Sequence, residues 1–198
     1  MATLPKYVNI LSQSTGVSEA TLAHVGRVIR EGGLIETTQR GRGAKHLDAN
    51  NVSALLIASA LLNNDKDLCE KVRRYWGLKT DHEAGNTQHH IEIPDGLKID
   101  YMVESLGTAL LGVLTAPMTA VEITMRLDAP YEHARLGLQW NHDRKIKRAT
   151  FAYVLPFIAA ASSYGDRDVE VEIGARTFRC MRALLAGQEG TMIQGIKL

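Results

Sequence analysis

Hydrophobic residues recur at helical spacing along the first sixty positions. Two stripes follow the i, i+3 or i+4, i+7 pattern and consist of Leu4, Val8 and Leu11, then Leu22, Val25 and Ile29. Ser18 is suited to cap the second helix, which we expect over residues 19–31, and Gly32-Gly33 to end it. A third apolar stripe, on residues 52–62, follows Asp48 as its N-cap. The pattern predicts two helices joined by a tight turn, with a third helix further along.

The segment between the second and third helices reads as a β-hairpin. Residues 34–38 are typical of a short strand, and residues 39–43 form a glycine-punctuated turn. Three cations lie at or just after the tip of this hairpin, namely Arg40, Arg42 and Lys45. The predicted order is therefore helix, turn, helix, wing, helix.

The rest of the chain mixes helix and strand patterns. Amphipathic helices are expected over residues 67–76 and 101–114. Alternation at period two predicts strands over residues 121–127, 133–140, 149–155, 169–173 and 177–181. With a polar cluster at residues 63–66 as a boundary, we predict a winged module over 1–64 and a larger unit over 65–198. The fold class is α+β with a mostly antiparallel sheet.

Charge narrows the options for a partner. The 198 residues carry 23 Lys and Arg against 22 Asp and Glu, so the net charge is +1. Residues 1–62 hold six of the basic residues and four of the acidic ones. Affinity for a nucleic acid must then come from a local basic surface. No apolar run reaches the roughly 18 residues of a membrane helix, and no secretory signal pattern opens the sequence, so we expect a cytoplasmic location and no membrane partner.

The polar face of the second helix is the candidate binding surface. At 100° per residue, Ala20, His24, Arg27 and Glu31 lie opposite the apolar stripe, with Thr21 and Arg30 on the flanks. A helix with small, polar and basic side chains fits the major groove of DNA, where arginine donates to guanine in bidentate fashion. The alternative is an ordinary solvated helix face with a polar loop nearby.

Three segments carry a resemblance to a known family. They are residues 7–22 (YVNILSQSTGVSEATL), residues 31–35 (EGGLI) followed by the Gly/Arg wing, and residues 51–56 (NVSALL). Over residues 4–62 the chain resembles the winged helix-turn-helix of MerR-type regulators and excisionases. The chain differs in having Ala23-His24 where such proteins usually have Arg-Tyr. The resemblance implies that Gly-Val-Ser starts a recognition helix and that wing cations contact phosphates. It points to Ser18, Thr21, Arg40 and Arg42.

The sequence carries weaker signals for a metal site, for a second cluster of cations and for catalysis. The residues His82, Glu83, His89, His90 and Glu92 include zinc-ligand types, but their spacing matches no known site, and a loop entering a strand explains them equally well. Residues 141–148 place four cations in an expected hairpin turn, either as phosphate contacts or as a solvated turn. Because Cys69, Cys180 and Ser162 lack a nucleophile signature, we expect no enzyme, no metal and no cofactor.

The leading hypothesis is a sequence-specific DNA-binding transcriptional regulator, in the style of a phage or mobile element, that acts as a homodimer on double-stranded DNA. The expected contacts are Ser18, Thr21, His24, Arg27, Arg30, Arg40, Arg42 and Lys45. The second unit would pair two copies or bind a protein partner. Two alternatives stay open: an excisionase-like accessory protein that bends DNA, and an interaction or inhibitor module that no longer binds DNA.

Overall fold

The structure is a computed structural model of the full chain. It describes residues 2–36, 46–62, 67–80, 105–116, 122–128, 133–142, 145–154 and 170–197. The helices in these ranges are α1 (Leu4–Thr15), α2 (Glu19–Glu31), α3 (Ala49–Ala60), α4 (Leu68–Gly77), α5 (Leu106–Thr115) and α6 (Ala175–Leu185). The strands are β1 (Lys79–Thr80), β2 (Glu122–Asp128), β3 (His133–His142), β4 (Lys145–Val154), β5 (Glu170–Ile173), β6 (Met192–Ile193) and β7 (Ile196–Lys197). No helix in the described ranges is long and apolar enough to cross a membrane.

The first two helices form where the apolar spacing predicts them. α1 ends at Gly16, whose positive φ of 77° needs a residue without a β-carbon and whose N–H bonds back to the carbonyl of Ser12. α2 begins at the predicted N-cap, since the Ser18 side chain accepts from the N–H of Thr21. Only three residues separate the helices, so α1 packs against α2 and Leu4 lies over Gly26.

α3 is the central helix of the protein. The Asp48 side chain caps it by accepting from the N–H of Asn51, as predicted. All of its residues from Asn51 to Ala60 are buried, because α2, α4, α5 and strand β5 pack around it. The sequence predicts a single apolar face here. The observed burial on every side is instead typical of a helix in the middle of a core.

The sheet is antiparallel, which confirms the α+β class. Five strands follow the order β1-β4-β3-β2-β5, with Leu136 paired to Met125 on one side and to Phe151 on the other. Alternate residues of β2, β3 and β4, including these three, are buried. α6 packs against β2 on this apolar side and also contacts α1 and α5. The buried apolar residues of the helices and of the sheet form one continuous core.

One predicted strand is wrong. Residues 177–181 belong to α6, which runs from Ala175 to Leu185. The polar residues Thr177 and Arg179 alternate with the apolar Phe178 and Cys180 and so imitate period two, but the residues from Cys180 to Leu184 are all buried, as in a helix enclosed on most sides. The helix also has a glycine stop, because Gly187 has a φ of 76° and its N–H bonds to the carbonyl of Leu184.

Other sequence predictions fall partly or wholly outside the described residues. The wing tip with Arg40, Arg42 and Lys45 lies there, as do the residue 63–66 boundary and the histidine-rich stretch 82–92. The predicted strand at 34–38 is irregular backbone over residues 34–36. The cation run at 141–148 does sit in a hairpin, but Lys145, Lys147 and Arg148 lie on β4 itself.

The N-terminal helices are fixed to the end of the chain by polar contacts. The ammonium group of Lys6 on α1 lies 2.8 Å from the carboxylate of Glu189, and this contact lowers the pKa of Glu189. The Thr177 hydroxyl on α6 donates to the Ser14 Oγ at 3.0 Å. α1 is therefore held by both α2 and α6, and α2 rests on a support that reaches into the sheet half of the protein.

The end of α2 depends on two glycines for different reasons. Gly33 has a φ of 73°, and the N–H groups of Gly33 and Leu34 bond to the carbonyls of Arg30 and Ile29, which closes a Schellman turn. Gly32 has an ordinary φ of −79°, but a β-carbon there would lie 2.2 Å from the Sγ of Cys69 on α4. Gly33 satisfies a backbone requirement, and Gly32 permits a close contact between helices.

We expect Gly33→Ala to cost about 1 kcal/mol in the free energy of unfolding, because alanine is strained at positive φ. Gly32→Ala should cost more, since Cys69 must move. Adding Cys69→Ala should recover part of the loss in Gly32→Ala and none in Gly33→Ala. Urea unfolding of the single and double variants measures both effects. An equal response of the two glycine variants to Cys69→Ala would contradict this assignment.

Candidate nucleic-acid interface

The outward face of α2 is open to solvent. Across the described ranges, α1, α3 and α4 contact α2, and its buried residues are Leu22, Val25, Gly26 and Ile29. The opposite face is exposed and consists of Glu19, Ala20, Thr21, Ala23, His24, Arg27 and Glu31. The helix is 13 residues long, and three neighbouring helices hold its inner side. The polar face is therefore presented on a rigid support.

The start of α2 is organised by its cap. The Ser18 Oγ accepts from the N–H of Thr21 at 3.1 Å and lies 2.7 Å from the Thr21 hydroxyl oxygen. Both predicted contact residues thus lie together at the exposed first turn. Ser18 also has a structural role, since it satisfies an N–H group that would otherwise lack an intrahelical partner.

The acidic residue at this end is drawn towards α1. The Asn9 side-chain amide donates to the carboxylate of Glu19 at 3.3 Å, and Gln13 donates to Asn9 at 2.7 Å. This exposed chain of hydrogen bonds links the two helices across their turn. It also satisfies part of the hydrogen-bonding capacity of the Glu19 carboxylate. This carboxylate lies beside Thr21 on the outward side of α2, where its negative charge would repel an anionic ligand.

Further along the same face, two predicted residues contact one another. The Nη2 of Arg27 lies 3.0 Å from the Nδ1 of His24, one helical turn away. With Nδ1 as acceptor, His24 holds the guanidinium group along the helix surface. Four of the five N–H donors of the guanidinium group then stay available for an acceptor in front of the helix.

Arg30 lies apart from this pair. Its side chain is half-buried on the flank of α2, and its carbonyl accepts from Gly33 in the terminal turn. A cation in the last turn also interacts favourably with the helix dipole. The geometry brings Ser18, Thr21, His24 and Arg27 to one exposed surface and places Arg30 at its border.

The described residues on either side of the predicted wing are anchored in the protein. Ile35 and Leu47, which flank it in the sequence, are buried in the core. The N–H of Leu47 donates to the carbonyl of Ala2 at 3.1 Å. Arg40, Arg42 and Lys45 lie outside the described residues, and their contribution stays a prediction.

Charge on the helix itself is balanced. The exposed or half-exposed charged residues of α2 are Glu19, Arg27, Arg30 and Glu31, which sum to zero. An excess of positive charge at this surface would therefore have to come from residues outside α2, and the wing cations are the predicted source. Attraction to phosphates rests on net positive charge, whereas discrimination between base pairs rests on single groups such as an arginine fork.

Sequence reasoning missed the support that α4 gives to α2. The guanidinium Nη2 of Arg73 donates to the carbonyl of Gly32 at 2.7 Å, and the thiol of Cys69 packs against the same glycine and lies 3.5 Å from the carbonyl of Val28. Cys69 and Arg73 are four residues apart, so they share a face of α4. The spacing of Cys69 and Arg73 in the sequence predicts that they share a face, but it does not identify α2 as the helix that they contact.

The chain has no detected relatives. No protein-family model matches it, and no curated protein and no solved structure matches it either. The resemblance to the winged helix-turn-helix of MerR-type regulators and excisionases therefore rests on the sequence segments alone. Within the described ranges, no group of His, Cys, Asp and Glu residues is arranged to hold a metal ion.

Loss of the α2 cap should lower the stability of the protein by a measurable amount. We expect Ser18→Ala to lower the free energy of unfolding by about 1 kcal/mol, because one N–H of the first turn loses its acceptor. Ser18→Asp should retain most of the stability, since a carboxylate caps equally well. Ser12→Ala, at a half-buried position on α1, is the matched control and should change little. Thermal and urea unfolding test this, and equal losses in the Ala and Asp variants would argue against the cap.

Proposed function

We propose that the protein is a sequence-specific DNA-binding regulator that places α2 in the major groove and uses the wing to contact the backbone. The observation that carries the proposal is the outward face of α2, which is polar and exposed while the inner face is fixed by three helices. An α-helix is about 10–12 Å in diameter with its side chains, so α2 fits the major groove, which is about 12 Å wide. The resemblance of residues 4–62 to winged helix-turn-helix proteins supports the same use.

The roles of the residues follow from their positions. Arg27 is the candidate base-reading group, because it lies on the exposed face of α2 and its guanidinium carries donors in the fork geometry that matches guanine. Ser18 and Thr21, at the first turn, are positioned for phosphate contact. Arg40, Arg42 and Lys45 would supply the excess positive charge that α2 lacks.

Two copies acting together would give useful discrimination. One winged module contacts few base pairs, and a dimer on two half-sites about one helical turn apart roughly sums the free energies of both. We propose that the protein is a homodimer on its operator, paired through the sheet half of the chain. Sedimentation of the free protein and of its complex with a selected duplex measures the number of copies.

Selection of duplexes from a random pool by the purified protein tests the proposal directly. Enrichment of one sequence motif supports a sequence-specific regulator. Protection of phased arrays together with bending of the fragment would instead identify an excisionase-like accessory factor. Failure to enrich or to bind any duplex would refute DNA binding and favour the interaction module.

The two classes of cation should behave differently in titrations. We expect Arg27→Ala to weaken binding to the selected duplex by about 1–3 kcal/mol and to leave binding to random duplex nearly unchanged. Arg40→Ala with Arg42→Ala should weaken binding to both duplexes and reduce the slope of log affinity against log salt by about 2. Fluorescence anisotropy at several salt concentrations measures these quantities.

A matched double variant controls for the loss of charge. Arg135→Ala with Arg148→Ala removes two arginines from the exposed face of the sheet and should leave duplex binding almost unaltered. If this variant lowers affinity as much as the wing variant does, the sheet face is the binding surface and the role of α2 is refuted. If Arg27→Ala weakens selected and random duplex equally, it does not read bases.

His24 should act by positioning Arg27. Removing the acceptor with His24→Ala frees the guanidinium, so preference at the base pair read by Arg27 should fall several-fold while affinity for random duplex stays constant. His24→Asn offers a carbonyl oxygen in place of Nδ1 and should restore part of the preference. Duplex selection with each variant gives the readout. An identical motif from His24→Ala and the unmodified protein would show that the contact has no role in recognition.

A further inference from the structure

A cavity of about 390 Å³ lies where α2 ends and the chain turns towards the wing. Its apolar walls include Leu34, Ala54 of α3, and Val72 and Trp76 of α4, while Asn50 and Arg73 supply polar groups. Sites for small molecules are typically concave, apolar and about 300–1,000 Å³ in volume, with a few convergent polar groups. This cavity has the same size and composition.

Trp76 provides a fixed, flat wall. Its ring packs on Gly107 of α5 so closely that a β-carbon at position 107 would lie 2.2 Å from the Cε2 atom of the indole. Because the ring is held against the backbone of α5, it cannot fill the cavity without leaving that contact. A flat and immobilised indole favours a planar aromatic ligand over a flexible aliphatic one.

The polar end of the cavity favours an anion. Arg73 is exposed, and one of its five N–H donors is used on the carbonyl of Gly32. None of the described residues that line the cavity is acidic. The nearby Glu70 carboxylate accepts from Arg74 at 2.6 Å on the same helix. A ligand carboxylate would therefore meet a guanidinium with free donors and no competing acid in the cavity wall.

We propose that this cavity binds a small planar aromatic carboxylate, with the ring against Trp76 and the carboxylate on Arg73. Binding there would act on the interface, since Arg73 holds the last turn of α2 and Leu34 leads into the wing. A ligand that binds this arrangement stabilises it, so duplex affinity should rise. The binding site stands without DNA binding, whereas its regulatory effect rests on the proposed function.

The binding test uses 1-naphthoate as the probe and the full-length protein without DNA. The chain has two tryptophans, Trp76 at the cavity and the buried Trp140 of β3, so their indole N–H resonances in a heteronuclear NMR titration distinguish the cavity from the sheet. We expect the Trp76 resonance to shift at millimolar probe or below and that of Trp140 to stay in place. No saturable shift, or a shift at Trp140 alone, would overturn the proposal. The absence of a shift is also the result expected if the protein itself fills the cavity.

Matched variants test the chemistry of recognition. Arg73→Gln should weaken naphthoate binding about tenfold, whereas Arg74→Gln, one position along the same helix, should not change it. The neutral analogue 1-naphthalenemethanol should bind the unmodified protein and Arg73→Gln equally. Circular dichroism and thermal unfolding establish that each variant is folded. If the two arginine variants lose affinity for naphthoate equally, the assignment of the carboxylate to Arg73 is wrong.

Adding duplex separates the two hypotheses. With naphthoate saturating, affinity for the selected duplex should rise by about fivefold or more in the unmodified protein and much less in Arg73→Gln. Naphthoate binding with unchanged duplex affinity would refute the regulatory coupling. Naphthoate binding by a protein that binds no duplex would refute the proposed function and leave the ligand site intact.

Discussion

Burial of α3 on all sides is the constraint on which the rest of the structure depends. Residues 51–60 are buried around the whole circumference of the helix, and Leu55, Leu56 and Ile57 are fully enclosed. Enclosing one such side chain contributes about 2 kcal/mol to the stability of the fold. Four separate elements gain this stability by packing around α3. α2 is one of them, and its inner face is committed to this packing. Its outer face is left for other uses.

This commitment explains why the candidate interface is well ordered without being large. A recognition surface must keep its side chains within a narrow range of positions, and a rigid helix does this better than a loop. α2 is held by the cap at Ser18, by its packing on α1 and α3, and by Arg73 and Cys69 at its last turn. The backbone positions of its exposed residues, such as Arg27, are therefore fixed. Only local contacts, such as that with His24, are needed to orient their side chains.

The sequence predicted those features that depend on neighbouring residues. Spacing and capping chemistry act within a few positions. They predicted the bounds of α2 at residues 19–31, the helix on Leu4, Val8 and Leu11, the caps at Ser18 and Asp48, and most strands. The strand predicted at 177–181 failed because five residues do not distinguish period two from one face of a longer helix.

The features that sequence reasoning missed are contacts between elements distant in the chain. Cys69 meets Gly32 across 37 positions, and Trp76 meets Gly107 across 31. In both, a glycine allows the side chain of another helix to approach more closely than a β-carbon would permit. A glycine within a helix pattern, such as Gly107, predicts that another element can approach closely, but the sequence does not identify that element. The cavity between α2, α3 and α4 depends on these contacts, so it too was beyond prediction.

The position of α4 gives the two halves of the chain a physical connection. Cys69 and Arg73 contact the last turn of α2, and Trp76 packs on α5, which packs in turn on α6. A displacement of α4 would change both contacts, because a helix moves as a rigid body whereas its side chains adjust only by rotamer. Energetic coupling between sites requires such an element with contacts at both ends. α1 and α3 also connect α2 with the sheet half, through α6 and β5 respectively, and α4 adds a third connection through α5 and α6.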